Sequence, residues 1–219
     1  MTTSSRVGYS QVRTLGHNFS LGGITGVSLV TVGDKEYALK GGGGGSISTN
    51  QAVNEFKAAA ILRAIGWEDL IPPARAFARR GVFLSEYLPD SKQVGYGSAR
   101  DEWVHLPGNM ERAIRIDLFD GLVGNIDRHP GNTLISNDGV LYAIDHGVCA
   151  FSSRYEMYPN LMNRYDLDVI RLHPVPKPTK PLTDSLLRHI GLHQHQRFSM
   201  LAGYRQLMAA TSLDRLIHF

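Results

Sequence analysis

Asp127, Asn132 and Asp145 stand five and thirteen residues apart, with a short apolar run between the last two. That spacing constrains the chain more than any other feature. Thr133–Ser136, the turn Asn137-Asp138-Gly139 and Val140–Ile144 read as a short hairpin. The three polar residues therefore sit on the loops before and after it. Phosphoryl transfer needs one group to orient the attacking hydroxyl and oxygen ligands to hold magnesium near the phosphates. Asp127, Asn132 and Asp145 supply that set, and the D-x-x-x-x-N interval matches the kinase catalytic loop.

The rest of the chain fits an enzyme of this kind. Its 219 residues allow two modest lobes, and 42% apolar with 20% charged residues is the balance of a globular protein with a sizeable core. Cys149 is the only cysteine, so no internal disulfide can form and a reducing compartment is expected. The net charge of +3 comes without any Lys/Arg block, so no nucleic-acid partner is expected. The opening Met-Thr-Thr-Ser-Ser-Arg has no apolar h-region, so no signal peptide is expected, and the sequence has no apolar run long enough to span a membrane. The expected location is cytoplasmic, or a host cytosol if the protein is a delivered effector.

From Val12 to Lys40 the texture is β, with Val27–Val32, the turn Gly33-Asp34 and Glu36–Lys40 reading as a hairpin. Gly41 to Gly45 with Ser46 reads as a flexible linker. Asn50–Ile65 reads as a helix, with capping oxygens at Ser48, Thr49 and Asn50 and an apolar stripe of Val53, Phe56 and Ala60. Ala74–Ala78 and Val82–Tyr87 read as strands, Leu88-Pro89-Asp90 as a connector, and Ser91–Gly108 as irregular. Glu111–Gly124 reads as a helix burying Ile114, Leu118 and Leu122. Pro174–Pro181 reads as an extended surface segment, with Lys177 and Lys180 as solvated charges. Thr183–Ile190, Gln194–Ala210 and Leu213–His218 read as helices, the second with a core stripe of Phe198, Leu201, Tyr204 and Met208. His189, His193 and His195 lack the supporting ligands of a metal site and read as a surface junction.

Lys40 closes the predicted strand Glu36–Lys40, and Glu55 lies on the helix that follows. In kinases a strand lysine of this type holds the α/β-phosphates and is steadied by a helix glutamate. Gly22, Gly23 and Gly26 lie in the one candidate for a phosphate-covering loop, where backbone N–H groups could approach phosphate oxygens. The sequence contains no P-loop motif.

Phe119-Asp-Gly-Leu-Val-Gly-Asn-Ile-Asp-Arg-His-Pro-Gly-Asn132 followed by Ala143-Ile-Asp-His-Gly147 resembles the catalytic core of the phosphatidylinositol 3-/4-kinase family. Within it, Ala143–Phe151 is most similar to the type II phosphatidylinositol 4-kinase branch and to small bacterial kinases. The strong likeness covers roughly 111–151. It implies a two-lobed, protein-kinase-like α+β fold with ATP in the cleft: 1–90 as a strand-rich lobe, 91–219 as a helical lobe. It also implies Asp127 as the catalytic aspartate, Asn132 and Asp145 as ligands of Mg²⁺ (with Mn²⁺ as an alternative), and Lys40 with Glu55 on the phosphates. His129 would assist the transferring phosphate or the base, and Arg128 would hold the loop. Asp120 would be structural, and Glu86 and Leu88 would present backbone groups to adenine.

Two departures bear on function. The metal motif is Asp145-His146-Gly147 rather than D-F-G, so a switch based on a flipping phenylalanine is not expected. The segment Val148–Asn163 has Arg154 as its one basic residue, a poor cradle for an anionic headgroup. The sequence therefore reads as an ATP- and Mg²⁺-dependent phosphotransferase acting on an alcohol, with a protein hydroxyl favoured as acceptor. A phosphoinositide kinase and a nucleotide- or partner-binding pseudokinase are the alternatives.

Overall fold

A computed structural model describes residues 12–14, 27–41, 48–77, 81–94, 103–154 and 173–213. Val27–Val32 (β2) and Lys35–Gly41 (β3) form the expected hairpin, in a register that sets Val27 opposite Lys40 and Val32 opposite Lys35. Val12–Thr14 (β1) extends it on one side. Val82–Glu86 (β5) and Ala74–Phe77 (β4) extend it on the other, giving a five-stranded antiparallel sheet of order β1-β2-β3-β5-β4. Val30, Val32, Tyr37, Val82 and Leu84 form its buried cluster.

Gly41 closes β3 at φ +88°, and a Cβ there would lie 2.0 Å from the Gly81 carbonyl oxygen. Only glycine fits that position, so the glycine run has a structural requirement at its first residue. The chain then enters Ser48–Ile65 (α1), which packs against β3 and β5.

The inner face of α1 is not the expected stripe. Val53, Phe56 and Ala60 are half-buried, whereas Ala52, Glu55, Ala58, Ile61, Leu62 and Ile65 are buried. An apolar count misreads this face because a carboxylate, Glu55, occupies its centre. The carboxylate is tolerated there because a partner cation meets it.

The larger core joins α1 to the C-terminal helices. Asn109–Val123 (α2) buries Ile114, Leu118 and Leu122 as expected, with Ala113, Ile116, Phe119 and Val123 besides. The helix ends at Gly124, where a Cβ would meet the Ser152 carbonyl oxygen at 2.3 Å. Thr133–Ile135 (β7) and Leu141–Ala143 (β8) form the second expected hairpin. Lys92–Gln93 (β6) adds to β7, a pairing absent from the sequence reading of 91–108 as irregular. A two-residue strand has no periodicity of its own, and only its distant partner creates it. Trp103, in a 3-10 turn of the same stretch, is fully buried.

Asp184–His189 (α3) and Gln194–Ala209 (α4) are present, while most of the expected helix Leu213–His218 lies outside the described residues. The core face of α4 is Met200, Gly203, Tyr204 and Leu207. Phe198 and Met208, expected in the core, are 59% and 43% exposed. The i, i+3, i+4, i+7 face is set by what α2 and α3 offer, and those two residues fall outside it. The proline segment is extended, but it is not merely a surface strap. Val175 is buried, and Ile65's carbonyl accepts from the backbone N–H groups of Thr179 (3.0 Å) and Lys180 (3.3 Å). Lys177 is no solvated charge, since its Nζ donates to the carbonyls of Leu207 and Ala210, the latter at 2.6 Å, and so closes the C-terminus of α4. Lys180 remains exposed, 3.8 Å from Glu68.

Leu118 sits fully buried in the larger core. Leu118→Ala is expected to lower the unfolding free energy by roughly 2–5 kcal/mol. An unfolding free energy from chemical denaturation lowered by less than about 0.5 kcal/mol would mean the core is not packed as described.

Candidate active site

Lys40 lies near the end of β3, paired with Phe83 on β5, and its Nζ sits between two carboxylates. Glu55 Oε1 is at 2.6 Å and Asp145 Oδ1 at 3.0 Å. Burial opposes the charge on Lys40, but the two carboxylates outweigh it and raise its pKa. Burial likewise opposes ionisation of Glu55; Lys40 first, then His146, overcome it and hold the carboxyl well below the usual carboxylate range. Both partners are thus held in their charged forms.

A second buried ion pair carries the loop after α2. Arg128, 3% exposed, donates from Nε to Asp120 Oδ2 (2.7 Å) and from Nη2 to Asp120 Oδ1 (3.2 Å). Its Nη1 donates to the carbonyls of Asn132 and Ile144, the latter at 2.6 Å. Asp120 also accepts from Asn125 Nδ2 at 2.9 Å, and Asn125 Oδ1 accepts from the Asp127 backbone N–H at 3.2 Å. Burial would lower the Arg128 pKa; Asp120 more than compensates. The arginine is wholly engaged in joining α2, the 125–132 loop and the far end of the hairpin. It braces the loop from inside.

These bonds bring the expected residues together. Asn132 Nδ2 donates to the Asp127 carbonyl at 2.9 Å, which leaves the amide oxygen as the group able to meet a cation. Ile144's N–H returns to the Asn132 carbonyl at 3.0 Å, setting Asp145 one residue beyond that crossing. Asp145 itself has φ +59°, a left-handed conformation that aspartate tolerates better than most residues. Asp127 and His129 are exposed. His129 Nδ1 accepts from the Gly131 N–H at 3.1 Å, capping the 3-10 turn Pro130–Asn132.

Glu86 ends β5, and Leu88 lies on the connector that follows it. Glu86's side chain pairs with Lys35 at 2.9 Å on the sheet, and its backbone N–H goes to the Pro73 carbonyl. Leu88 is half-buried, and its carbonyl accepts from Ser91 N–H at 3.3 Å. Gly22, Gly23 and Gly26 lie outside the described residues.

Three contributors were not legible as such. His146 is 2% exposed and lies between Glu55 and Arg128. Asn125 is the link between Asp120 and Asp127. Asn54 donates from Nδ2 to the Gly147 carbonyl at 2.8 Å, across 93 residues of sequence. No local pattern marks any of them, although the adjacency of Asn54 to Glu55 was a clue.

The donor set suits magnesium in the presence of phosphates. Among the described residues no cluster of three or more His, Cys, Asp or Glu could hold a metal alone. A hard ion that keeps its waters needs only the oxygens of Asn132 and Asp145 with those of a nucleotide. Glu55, Asp120, Asp127 and Asp145 outnumber Lys40 and Arg128, so the site has negative charge to offer a cation.

No protein-family model matches the chain. Over 63 residues it is 40% identical to Protein Rv2133c of Mycobacterium tuberculosis (strain ATCC 25618 / H37Rv), a match spanning 29% of this chain and 22% of that protein's length. Among solved structures it is similar to choline kinase LicA from Streptococcus pneumoniae (TM-score 0.42, 15% identity, 91% of this chain and 86% of that one). It is also similar to the Helicobacter pylori proinflammatory kinase CtkA (TM-score 0.41, 13% identity, 92% and 90%). The sheet order and the strand lysine held by a helix glutamate define a two-lobed, kinase-like α+β fold. No described helix is long and apolar enough to cross a membrane.

Glu55 ties this geometry to stability. Its folded pKa is depressed, so its contribution is full above the unfolded value, near 4.3, and is lost as pH falls toward the folded value. Glu55→Gln is expected to cost about 3 kcal/mol at neutral pH by leaving Lys40 one buried partner short. It should also flatten the loss of stability below about pH 5. Denaturation midpoints measured from pH 3 to 7 test both, and parallel curves for the two proteins would contradict the depressed carboxyl.

Proposed function

We propose that the protein is an ATP- and magnesium-dependent phosphotransferase that moves the γ-phosphate to an alcohol, a protein hydroxyl before a phosphoinositide. The observation that carries this reading is Lys40 Nζ held between Glu55 and Asp145. It joins the phosphate-binding charge to the metal-binding carboxylate across two otherwise separate elements.

Lys40 takes the α/β-phosphates, with Glu55 fixing its ammonium. Asn132 and Asp145 would hold the metal, which would neutralise charge on the phosphates. Asp127 orients the acceptor hydroxyl and receives its proton. Its exposure, beside an exposed Ile126, leaves room for a bulky acceptor. Arg128 is a positioning residue, because its donors are spent on Asp120 and on the backbone of the loop and hairpin. His129 keeps Nε2 available once Nδ1 has accepted from Gly131. Positioning and charge neutralisation supply the catalysis, with no covalent intermediate.

The preference for a protein acceptor rests on the weakly basic stretch 148–163, whose one basic residue is Arg154. The Asp127–Asn132 string and its likeness to phosphoinositide kinases support the lipid as the second reading.

γ-Labelled ATP offered with Mg²⁺ to protein extracts and to phosphoinositide vesicles separates these. Label in protein supports the proposal, label confined to lipid reverses the acceptor, and no transfer to any acceptor leaves a nucleotide-binding pseudokinase. Asp127→Ala is expected to lower turnover at least about 100-fold while ATP still binds. Asp145→Ala should abolish turnover and also the dependence of ATP binding on magnesium, read by calorimetry with and without the metal.

A further inference from the structure

We infer that His146 is a positioning residue that couples the Lys40–Glu55 pair to the loop carrying Asp127, with Nε2 accepting from Arg128 and Nδ1 turned toward Glu55. This deepens the phosphotransfer reading and rests on it for the consequences in turnover.

A guanidinium can only donate. Arg128 Nη2 lies 3.0 Å from His146 Nε2, so Nε2 must present its lone pair. A proton on that nitrogen would aim one N–H at another. The ring's proton therefore sits on Nδ1, which faces Glu55 Oε2 at 3.7 Å. This contact is longer than a direct hydrogen bond, but it acts in a dry interior where attraction is little screened. Asp120 Oδ1 lies farther from Nε2, at 3.9 Å, and is already engaged by Arg128 and Asn125. The Phe119 ring meets the imidazole edge-on at 5.6 Å and holds its plane.

Glu55 thus divides its oxygens, with Oε1 on Lys40 and Oε2 toward His146. Among the described residues, His146 is the side chain with polar contacts to both Glu55 and Arg128. Its neighbours strengthen the junction. Asn54, one position before Glu55 on α1, holds the Gly147 carbonyl, and a Cβ on Gly147 would come within 3.0 Å of Gln51 Cβ. Helix α1 therefore grips residues 146–147 through Gln51, Asn54 and Glu55. A phenylalanine at 146 could fill the space. It would leave Glu55 Oε2 without its second partner and free the carboxylate to turn away from Lys40.

The test has an arm that does not depend on activity. Histidine ¹⁵N NMR of the whole protein, with His146 assigned by the signal lost in His146→Gln, should show a protonated Nδ1 and an unprotonated Nε2. A protonated Nε2 would overturn the coupling whatever the activity. In the kinetic arm, His146→Phe should lower kcat/KM for ATP about 10–100-fold, as loss of an outer partner typically does, while melting within a few degrees of the wild type. His146→Gln, whose amide offers one acceptor and one donor, should stay within about fivefold of the wild type. Equal losses in the two variants, or no loss in His146→Phe, would sink the positioning role. If the wild type transfers no phosphate, the phosphotransfer reading fails, and the NMR arm still decides the link.

Discussion

Lys40 between Glu55 and Asp145 is the interaction on which the site depends. Each of the three comes from a different part of the chain: a strand of the five-stranded sheet, the helix packed against it, and the loop after the second hairpin. Burying the Glu55 carboxylate costs several kcal/mol, and its pairing with Lys40 is what makes the burial tolerable. The consequence is a strong constraint. With Lys40 in place, α1 must present Glu55 inward and the hairpin must deliver Asp145 to the same point.

The Asp120–Arg128 pair does the same for the other half of the site. A bidentate guanidinium is rigid and directional, so one residue can hold a helix, a loop and a hairpin end in fixed relation. Asn132 then ties itself to the Asp127 carbonyl, and the loop is set before any ligand arrives. The two pairs meet at His146. A polar ring in the place where a kinase commonly carries phenylalanine converts an apolar contact into an electrostatic one, which makes the junction specific as well as packed.

Much of this was open to a reading of residue order alone. The hairpins, α2 and the Asp127–Asn132–Asp145 set follow from turn residues, periodicity and spacing, which are local properties. The pairing of Lys40 with Glu55 followed from motif order. What misled was amphipathicity. Val53, Phe56 and Ala60 looked like the inner face of α1 because Glu55 counts as polar, and Phe198 and Met208 looked like core because large apolar residues usually are. In both helices the neighbours chose the buried face. Nothing near Lys177 in sequence hints at the helix end it closes.

The chain's own order of residues determined the chemistry on offer: a strand lysine, a helix glutamate, two carboxylates and an amide at kinase-like intervals, with one cysteine and no basic cluster. Those are properties of composition and spacing, and they survive without a fold. Tertiary structure alone decided that Arg128 turns inward, that Glu86 pairs on the sheet, and that Asn54 and His146 fasten α1 to the loop after the second hairpin. Each of these depends on a contact between residues remote in sequence. Such contacts are chosen by which charges must be neutralised when the core excludes water, and no local pattern encodes that choice.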